Sequence, residues 1–385
     1  MANIDKIIDK EASQRVMSAK STLKSFVKTI DIKLNQYFTH ELSKTYGFSS
    51  REKELSYIVW SHLMEHNLRS AKRLRASFVY FSYFLFKKNK NLLNFSDKDL
   101  IFDACLSVEL IHTALLIHDD IMDEDLTRRG EPTSHIFFQN YHKKNNYLGD
   151  SHHFGESMAI NSGDILLTSG YERLLKSKFP SRLKEAALSR LMRGIINTGF
   201  GQVYDVIQEA NGKASEKDIL NLHRAKTAIY TYENPLHIGA ILSGATNDDL
   251  KLLSEYATPA GIAFQLQDDI LGLFGDSEKT GKSNNSDIRE GKITLLISKA
   301  RELGSKSQIE TLNKLLGNKK ITQKQADIVR KIVRETGSLD YSYKKSVYFA
   351  KKALKTIGTM REREWNTEAV DYLDGIAMYM IERDV

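Results

Sequence analysis

Acidic residues at helical spacing give the strongest chemical signal in the sequence. Residues 115–130 read LLIHDDIMDEDLTRRG, in which Asp119, Asp120 and Asp123 form a D-D-x-x-D motif. On a helix, His112, Asp119 and Asp123 lie on one stripe, and like charges at this spacing repel each other. Hard divalent cations with oxygen ligands would compensate that repulsion. A solvated acidic helix end, neutralised by the arginine pair that follows, is the alternative that this motif alone leaves open.

A second acidic motif makes the metal hypothesis stronger. Residues 264–276 read FQLQDDILGLFGD, and Gln265, Asp268, Asp269 and Gly272 follow the i, i+3, i+4, i+7 pattern of one helical face. The other residues of this segment are mostly apolar, so the helix can pack while it presents carboxylates. We expect the two motif helices to form two walls of a cavity. Carboxylates from both walls could hold Mg²⁺, which keeps some water ligands and bridges to substrate phosphates.

Basic side chains occur where phosphate groups would need them. An arginine can hold a diphosphate with two parallel hydrogen bonds, whereas a lysine acts as a point charge. Each of these residues alone is more typical of surface charge, but together they indicate a site for two diphosphates, one on metal ions and one on basic side chains. The net charge of +7 agrees with an anionic substrate but is weak support. The candidates are Lys72, Arg73, Arg75, Arg128, Arg129, Lys226, Lys282 and Lys292.

Composition predicts a mostly helical chain. Only four prolines occur in 385 residues, and good helix formers are abundant. Capping-box patterns at 96–99 and 215–218 and the Thr258-Pro259 pair predict helix starts. The run 69–86 predicts a buried helix, 128–157 and 275–292 predict loops, and no strand pair is expected. The length allows a single domain with a sizeable core.

Cysteine content and hydropathy limit the protein class. The single cysteine, Cys105, excludes an internal disulfide and a cysteine-based zinc site. The first twenty residues are charged and do not resemble a signal peptide. The longest apolar run, 104–117, contains Glu109 and His112, which are costly in lipid. We therefore expect a cytoplasmic protein without an integral membrane segment, and no nucleic-acid partner.

Several further motifs accompany the aspartates in a fixed order. They are HHFGESMAINSGD (152–164), Gly201-Gln202 with Asp205, Lys226-Thr227, SDIREGK (286–292) and GSLDYS (337–342). With both aspartate motifs, they make the chain from Arg69 to Arg383 resemble the trans-isoprenyl diphosphate synthases of the polyprenyl synthetase family, and geranylgeranyl diphosphate synthases in particular. The resemblance implies an all-α isoprenoid synthase fold, with helices around a deep apolar cavity. It also implies a homodimer. We expect one domain over 1–385, with a helical N-terminal extension over 1–65 and a core over 66–385.

The resemblance also implies an activity and roles for individual residues. The activity is Mg²⁺-dependent condensation of isopentenyl diphosphate with an allylic diphosphate. The residues at the metal motifs, the catalytic candidates, are Asp119, Asp120, Asp123, Asp268 and Asp269, with Lys226 beside the leaving group; Asp119, Asp123 and Asp268 are the implied Mg²⁺ ligands, and Asp120 assists. The implied allylic diphosphate ligands are Arg128, Lys226, Thr227, Gln265, Lys282 and Lys292. The implied isopentenyl diphosphate ligands are Lys72, Arg75, His112 and Arg129.

Two motifs depart from the family pattern. The G-G-K-R-x-R-P motif appears as SAKRLRA over 70–76, which keeps the charges but loses the glycines and the proline. Gly272 stands where many members carry a third aspartate. A non-catalytic regulatory subunit of a heteromeric prenyl synthase is therefore the alternative function. An HD-type phosphohydrolase based on His118-Asp119 would leave the second motif unused, and a di-iron bundle would need a second Glu-x-x-His.

Residues below the first aspartate bear on product length. In the family, side chains on the same helix limit the growing chain, and here they are Leu115, Ala114, Ile111 and Ser107. Ala114 is small, so no aromatic side chain from this helix closes the floor directly below the metal motif. We therefore expect a product of geranylgeranyl length or longer.

Overall fold

α-Helices account for nearly all of the regular structure, as predicted. The computed structural model describes residues 10–44, 46, 50–87, 100–275 and 284–379. The first helices are α1 (Lys10–Leu42), α2 (Ser50–Leu68), α3 (Leu74–Leu85), α4 (Ile101–Met122), α5 (Ser134–Lys144), α6 (Ser151–Leu175) and α7 (Ser181–Asn211). Two short antiparallel strands, β1 (Thr127–Arg128) and β2 (Glu131–Pro132), lie between α4 and α5.

A π-helical segment interrupts the α-helices in the second half of the chain. This segment, His223–Glu233, continues directly from α8 (Glu216–Leu222) and leads into α9 (Asn234–Ser243). The remaining helices are α10 (Asn247–Phe274), α11 (Ser286–Glu290), α12 (Leu295–Leu303), α13 (Lys306–Leu315), α14 (Gln323–Glu335), α15 (Ser338–Glu362) and α16 (Thr367–Tyr379). π-Helical turns occur frequently at functional sites.

The chain divides into two compact units. Leu23–Tyr80 and Leu93–Leu188 form the unit that contains the first aspartate motif, here called the first-motif unit. Met1–Thr22, Phe81–Leu92 and Ser189–Val385 form the second-motif unit. Helices α1, α3 and α7 each contribute residues to both units. The prediction of a single domain with an N-terminal extension stays a prediction.

Helix α4 is the centre of the first-motif unit. It packs against α6, and two glycines of α6 allow the close approach. A Cβ on Gly163 would lie 2.2 Å from the His118 imidazole, and one on Gly170 would lie 2.4 Å from Ile111. The Ser107 hydroxyl donates to the Gly170 carbonyl at 2.7 Å. Small residues on α6 therefore fix the position of the helix that ends in the first aspartate motif.

A buried ion-pair network supports the start of α3. The Arg73 guanidinium donates to Asp31 at 2.9 Å and to Glu109 at 3.1 Å. It also donates to the Asn67 carbonyl at 2.6 Å. The backbone N–H of Ala76, one of the otherwise unpaired donors of a first helical turn, donates to the second Glu109 oxygen at 3.2 Å. Arg73 therefore has a structural role, and the buried Glu109 of α4 has its charge neutralised.

Helix α10 is the centre of the second-motif unit. It packs against α15 and against the π-helical segment. A Cβ on Gly261 would lie 2.4 Å from Ala228, so only glycine allows this approach. The start of α1 packs on α16, where Arg15 pairs with Asp374 at 3.5 Å and a Cβ on Gly375 would lie 2.5 Å from the Arg15 carbonyl. The first residues of α1 are thus part of this unit's core.

Four expectations about local structure need correction. Residues 275–292 are not one loop, because α11 (Ser286–Glu290) lies there. Helix α10 does not begin at the Thr258-Pro259 pair, because a capping box between Thr246 and Asp249 starts it twelve residues earlier and leaves Pro259 inside the helix. Residues 128–157 are not one loop: β1, β2, α5 and the start of α6 lie there. The β1–β2 pair is also a strand pair that the sequence did not indicate. The capping box at Ser215 is confirmed, and the one at 96–99 lies outside the described residues.

Helix α4 is long and apolar enough to cross a membrane by composition, but 72% of its most apolar window is buried inside the protein. Its carboxylate Glu109 is paired with Arg73. This burial is typical of a core helix. The predicted buried helix within 69–86 is confirmed by α3, whose Phe78, Phe81 and Phe84 side chains are almost fully buried.

Candidate active site

The first aspartate motif lies at the C-terminal end of α4. Asp119 belongs to the last helical turn, and Asp123 caps the helix by donating its N–H to the Asp119 carbonyl at 2.8 Å. Both side chains are partly exposed. The partial negative charge of a helix C-terminus disfavours carboxylates at this place, so the motif favours a bound cation. The i, i+4 spacing puts both carboxylates on one face.

Asp120 differs from its two neighbours because it is fully buried. Its Oδ1 accepts hydrogen bonds from the Nε and Nη2 atoms of Arg128. Arg128 also pairs with Asp125 at 3.2 Å. Burial alone would lower the pKa of the Arg128 guanidinium. The carboxylates of Asp120, Asp119 and Asp125 raise it instead, and Asp120 contributes most. Asp120 therefore holds Arg128 in place, and the assisting role predicted for it at the metal stays a prediction.

A cluster of cationic side chains lies in the same unit. Arg75 Nη1 is 3.0 Å from His112 Nε2. Burial, followed by the nearby Arg75 and Arg129, holds the pKa of His112 well below its usual range, so this imidazole is neutral and accepts from Arg75. Burial and the neighbouring Arg73 lower the pKa of Arg129 to about 10. The structure thus brings together three of the four residues implied for isopentenyl diphosphate, while Lys72 lies exposed on the adjoining segment.

The second aspartate motif belongs to a hydrogen-bonded chain in the other unit. Thr227, in the π-helical segment, donates to Gln265 Oε1 at 2.6 Å. Gln265 Nε2 donates to Asp269 Oδ1 at 2.8 Å, and His223 Nε2 lies 3.2 Å from Asp269 Oδ2. Asp268, the neighbour of Asp269, is more exposed. These hydrogen bonds fix the side chain of Asp269 and leave Asp268 as the more accessible carboxylate.

Lys226 lies beside this chain and is paired with Asp205. Its Nζ donates to Asp205 Oδ2 at 2.7 Å. A Cβ on Gly201 would lie 3.0 Å from the Lys226 backbone nitrogen, which explains why the Gly201-Gln202 and Asp205 motif accompanies Lys226-Thr227 in the sequence. Asp205 orients the lysine ammonium and was missing from the predicted site residues.

Asp287 is a second carboxylate that the site prediction missed. A Cβ on Gly272 would lie only 2.4 Å from Asp287 Oδ2. Asp269, Asp287 and Lys292 line one small cavity of about 10 Å³, close to the volume of one water molecule. The carboxylate of Asp287 therefore takes the space that a third motif aspartate at Gly272 would need. The position of Asp287 in the SDIREGK motif was the sequence signal that could have identified it.

Of two other predicted diphosphate ligands, the structure describes Lys292 but not Lys282. Lys292 Nζ pairs with Glu290 at 2.6 Å, beside the cavity that Asp287 lines. Lys282 lies outside the described residues, as do all of residues 276–283 of the predicted 275–292 loop. The prediction that Lys282 binds the allylic diphosphate therefore stays a prediction.

The carboxylates fit a hard divalent cation. No three metal-ligating side chains meet in one cluster within residues 10–44, 46, 50–87, 100–275 and 284–379. An ion bound at either motif would take its other oxygen ligands from water or from substrate phosphates, as Mg²⁺ does. Asp119 and Asp123, one turn apart and partly exposed, are suited to such a site.

Comparisons with known proteins agree with these features. The sequence profile described as "Polyprenyl synthetase" matches residues 59–335. A geranylgeranyl diphosphate synthase of Sulfolobus acidocaldarius is 34% identical over 266 residues, which are 68% of this chain and 74% of that protein. A geranylfarnesyl diphosphate synthase of Aeropyrum pernix is 32% identical over 282 residues, which are 72% of this chain and 81% of that protein.

A solved structure extends the comparison beyond the profile match. It is a geranylgeranyl pyrophosphate synthase of Corynebacterium glutamicum, complexed with isoprenyl diphosphate and magnesium, with 28% identity and a TM-score of 0.84. The match covers 94% of this chain and 99% of that one, and it confirms the all-α isoprenoid synthase fold. On these grounds the chain belongs to the polyprenyl synthetase family and is a prenyltransferase.

Proposed function

We propose that this enzyme condenses isopentenyl diphosphate with an allylic diphosphate, in the presence of Mg²⁺, to give an all-trans product of geranylgeranyl length or longer. One observation carries the proposal. Helix α4 presents a neutral His112 inside an arginine cluster and, two turns later on the same stripe, Asp119 and Asp123. Seven residues of helix span about 10 Å, a suitable separation for two diphosphates on one side of one helix.

Different residues of this chain bind the two substrates. Lys72, Arg75 and Arg129 hold the diphosphate of isopentenyl diphosphate, and His112 orients Arg75. The implied allylic diphosphate ligands are Arg128 in the first-motif unit and Lys226, Thr227 and Gln265 in the second-motif unit. Lys282 and Lys292 complete that group.

Asp119 and Asp123 of the first-motif unit and Asp268 of the second-motif unit would hold Mg²⁺, which would supply positive charge for an allylic diphosphate leaving group. Lys226 stabilises the same charge through its ammonium group. The allylic C–O bond breaks, the double bond of isopentenyl diphosphate attacks the allylic carbon, and a new C–C bond forms. One proton then leaves, and the departing diphosphate accepts it. The protein must exclude water, which would otherwise capture the allylic cation.

The chain-length part of the proposal rests on the relatives and on Ala114. The related enzymes named above are geranylgeranyl and geranylfarnesyl synthases. Ala114 is fully buried and small. Ile111 is less suited to limit the product than the sequence suggested, because it packs on Gly170 of α6.

A product assay tests the function directly. Purified protein alone, with Mg²⁺, labelled isopentenyl diphosphate and an allylic starter, should release diphosphate and form products of twenty or more carbons by chromatography. Products of fifteen carbons only would contradict the chain length. Absence of turnover would contradict the function and favour a regulatory subunit, for which the comparisons offer no support.

We also propose that the enzyme is a homodimer through α7. Among the exposed apolar side chains of this helix, five are spaced by four, four, three and four residues, which puts them on one face, and Phe200 is 73% exposed. A contiguous exposed apolar stripe marks an interaction surface. Light scattering should give about twice the chain mass, and Phe200→Asp should reduce it to one chain. The five residues are Met192, Ile196, Phe200, Val203 and Ile207. The cytoplasmic location remains our prediction.

A further inference from the structure

The turn that carries Arg129 is unusual. Strand residues Arg128 and Glu131 pair directly, so Arg129 and Gly130 form a two-residue hairpin turn. Both have positive φ, 56° and 83°, which defines the left-handed geometry preferred in such hairpins. Glycine adopts this backbone freely, but an arginine does so at a cost in free energy. Arg129 therefore needs contacts from outside the turn to keep this conformation.

Arg69 supplies those contacts. It follows the last residue of α2, and its side chain is only 6% exposed. Its Nη1 donates to the Arg128 carbonyl at 3.2 Å. In return, Arg129 Nη1 donates to the Arg69 carbonyl at 3.2 Å. Two reciprocal hydrogen bonds thus connect the end of α2 with the turn, and the second one fixes the guanidinium of Arg129 itself.

The other side of the Arg69 guanidinium is held by Glu65. Nε and Nη2 bind the two Glu65 oxygens at 2.8 and 2.7 Å, a bidentate pair across one helical turn. Glu65 compensates the charge of Arg69 and occupies the Nε–Nη2 edge of its guanidinium. Arg69 is therefore not arranged to bind an anion. Its hydrogen bonds hold the neighbouring Arg128–Arg129 turn, and Arg129 is the residue implied to bind a diphosphate.

We propose that Arg69, oriented by Glu65, is a positioning residue that holds the Arg128–Arg129 turn and directs Arg129 toward the diphosphate of isopentenyl diphosphate. This inference rests on the proposed function. It also gives a role to a residue beside the segment in which the family's two glycines are missing. The bonds that fix the turn come from the side chain and the backbone carbonyl of Arg69, so the 70–76 segment need not supply them.

The test is Arg69→Met, which keeps an unbranched, flexible side chain and removes the guanidinium donors. The KM for isopentenyl diphosphate should rise about tenfold, on the scale of a lost charge-assisted hydrogen bond. The kcat and the KM for the allylic diphosphate should change less than about twofold, because the metal motif is untouched. Calorimetric binding of isopentenyl diphosphate alone should weaken by the same factor.

Arg173→Met is the matched control. Arg173 pairs with Asp103 at 2.5 Å near the other end of α4, and its loss should leave both KM values unchanged. Arg69→Lys should give an intermediate effect, since one ammonium cannot replace the fork. Glu65 is half exposed, so Glu65→Gln offers a mild variant that should shift the same KM in the same direction even if Arg69→Met does not fold.

A double-mutant cycle separates positioning from general stability. If Arg69 acts through Arg129, then Arg69→Met should have less than about a twofold effect in an Arg129→Met background. Additive effects, or equal losses in both KM values with a lowered Tm, would overturn the proposal. Wild-type protein without prenyltransferase activity would contradict the proposed function instead, and calorimetry would still report on Arg69.

Discussion

At the end of α4, the first motif takes its carboxylates from a single helical turn, whereas the second motif gathers them from two elements. Asp268 and Asp269 belong to α10, but Asp287 comes from α11 and fills the space beside Gly272. The two motifs also differ in their partners, since Arg128 neutralises Asp120 while Gln265 and His223 contact Asp269. The carboxylates of the first motif therefore lie in one sequence segment, whereas Asp287 lies outside the second motif.

The largest expected effect is at the first motif. Asp119→Ala should lower kcat by about 10²- to 10³-fold, the scale of losing one electrostatic group that stabilises a transition state. The fold should persist, because Asp119 is partly exposed at a helix end. Turnover at saturating Mg²⁺ and the circular dichroism melt provide the measurement. The exposed Asp248 offers a control, and activity retained in Asp119→Ala would contradict the metal assignment.

Removing the charge of Asp120 and removing that of Asp269 should have different effects on the free energy of unfolding. Asp120→Asn leaves Arg128 buried with a weaker partner, and should cost about 3 kcal/mol in the free energy of unfolding. Asp269→Asn keeps an amide oxygen for Gln265 and should cost about 1 kcal/mol. Urea denaturation of both variants measures the difference. Equal losses would mean that the two motifs are supported in the same way.

Two buried histidines of α2 should make stability depend on pH. Burial holds the pKa of His62 to about 3 and that of His66 well below its usual range. Below pH 6.5 the unfolded chain therefore binds protons that the folded chain does not, and stability falls as the pH falls. One such histidine contributes about 2 kcal/mol between pH 7 and pH 5. His66→Leu should reduce the pH dependence of urea denaturation by this amount, and the exposed His153→Gln should not.

The smallest effect concerns Gly272. Gly272→Ala should push Asp287 away and lower kcat by about tenfold, because the new Cβ would lie 2.4 Å from Asp287 Oδ2. Asp287→Ala alone should lower activity to a similar extent. The double variant should be no worse than Asp287→Ala and should melt at a higher temperature than Gly272→Ala. Full activity in Gly272→Ala would show that the Asp287 carboxylate does not belong to the site.

The sequence predicted the helical fold because its signals are local, and the proposed site residues come from equally local patterns. The D-D-x-x-D spacing identifies one face of a helix without knowledge of any other element, and Ser215 starts α8 through its own capping box. The predicted loop over 128–157 was mostly wrong because Gly130, Pro132 and Gly149 are also compatible with a hairpin and short connections between helices.

Asp205, Asp287 and Arg69 could not be assigned roles from spacing alone. Each acts through a contact with a residue far away in sequence: Asp205 with Lys226, Asp287 beside Gly272, and Arg69 with Arg128. Pro259 shows the same limit, since a proline at a helix start and one tolerated inside a helix look alike in a short window.

The hydrogen bond from the Ala76 N–H to Glu109 has a consequence for protein engineering. Replacing Ala76 with the proline of the family motif is the kind of consensus change that often stabilises enzymes. Here it would remove a donor from a buried carboxylate that also neutralises Arg73. The family-typical residue would therefore be a harmful choice in this chain unless Glu109 were redesigned with it.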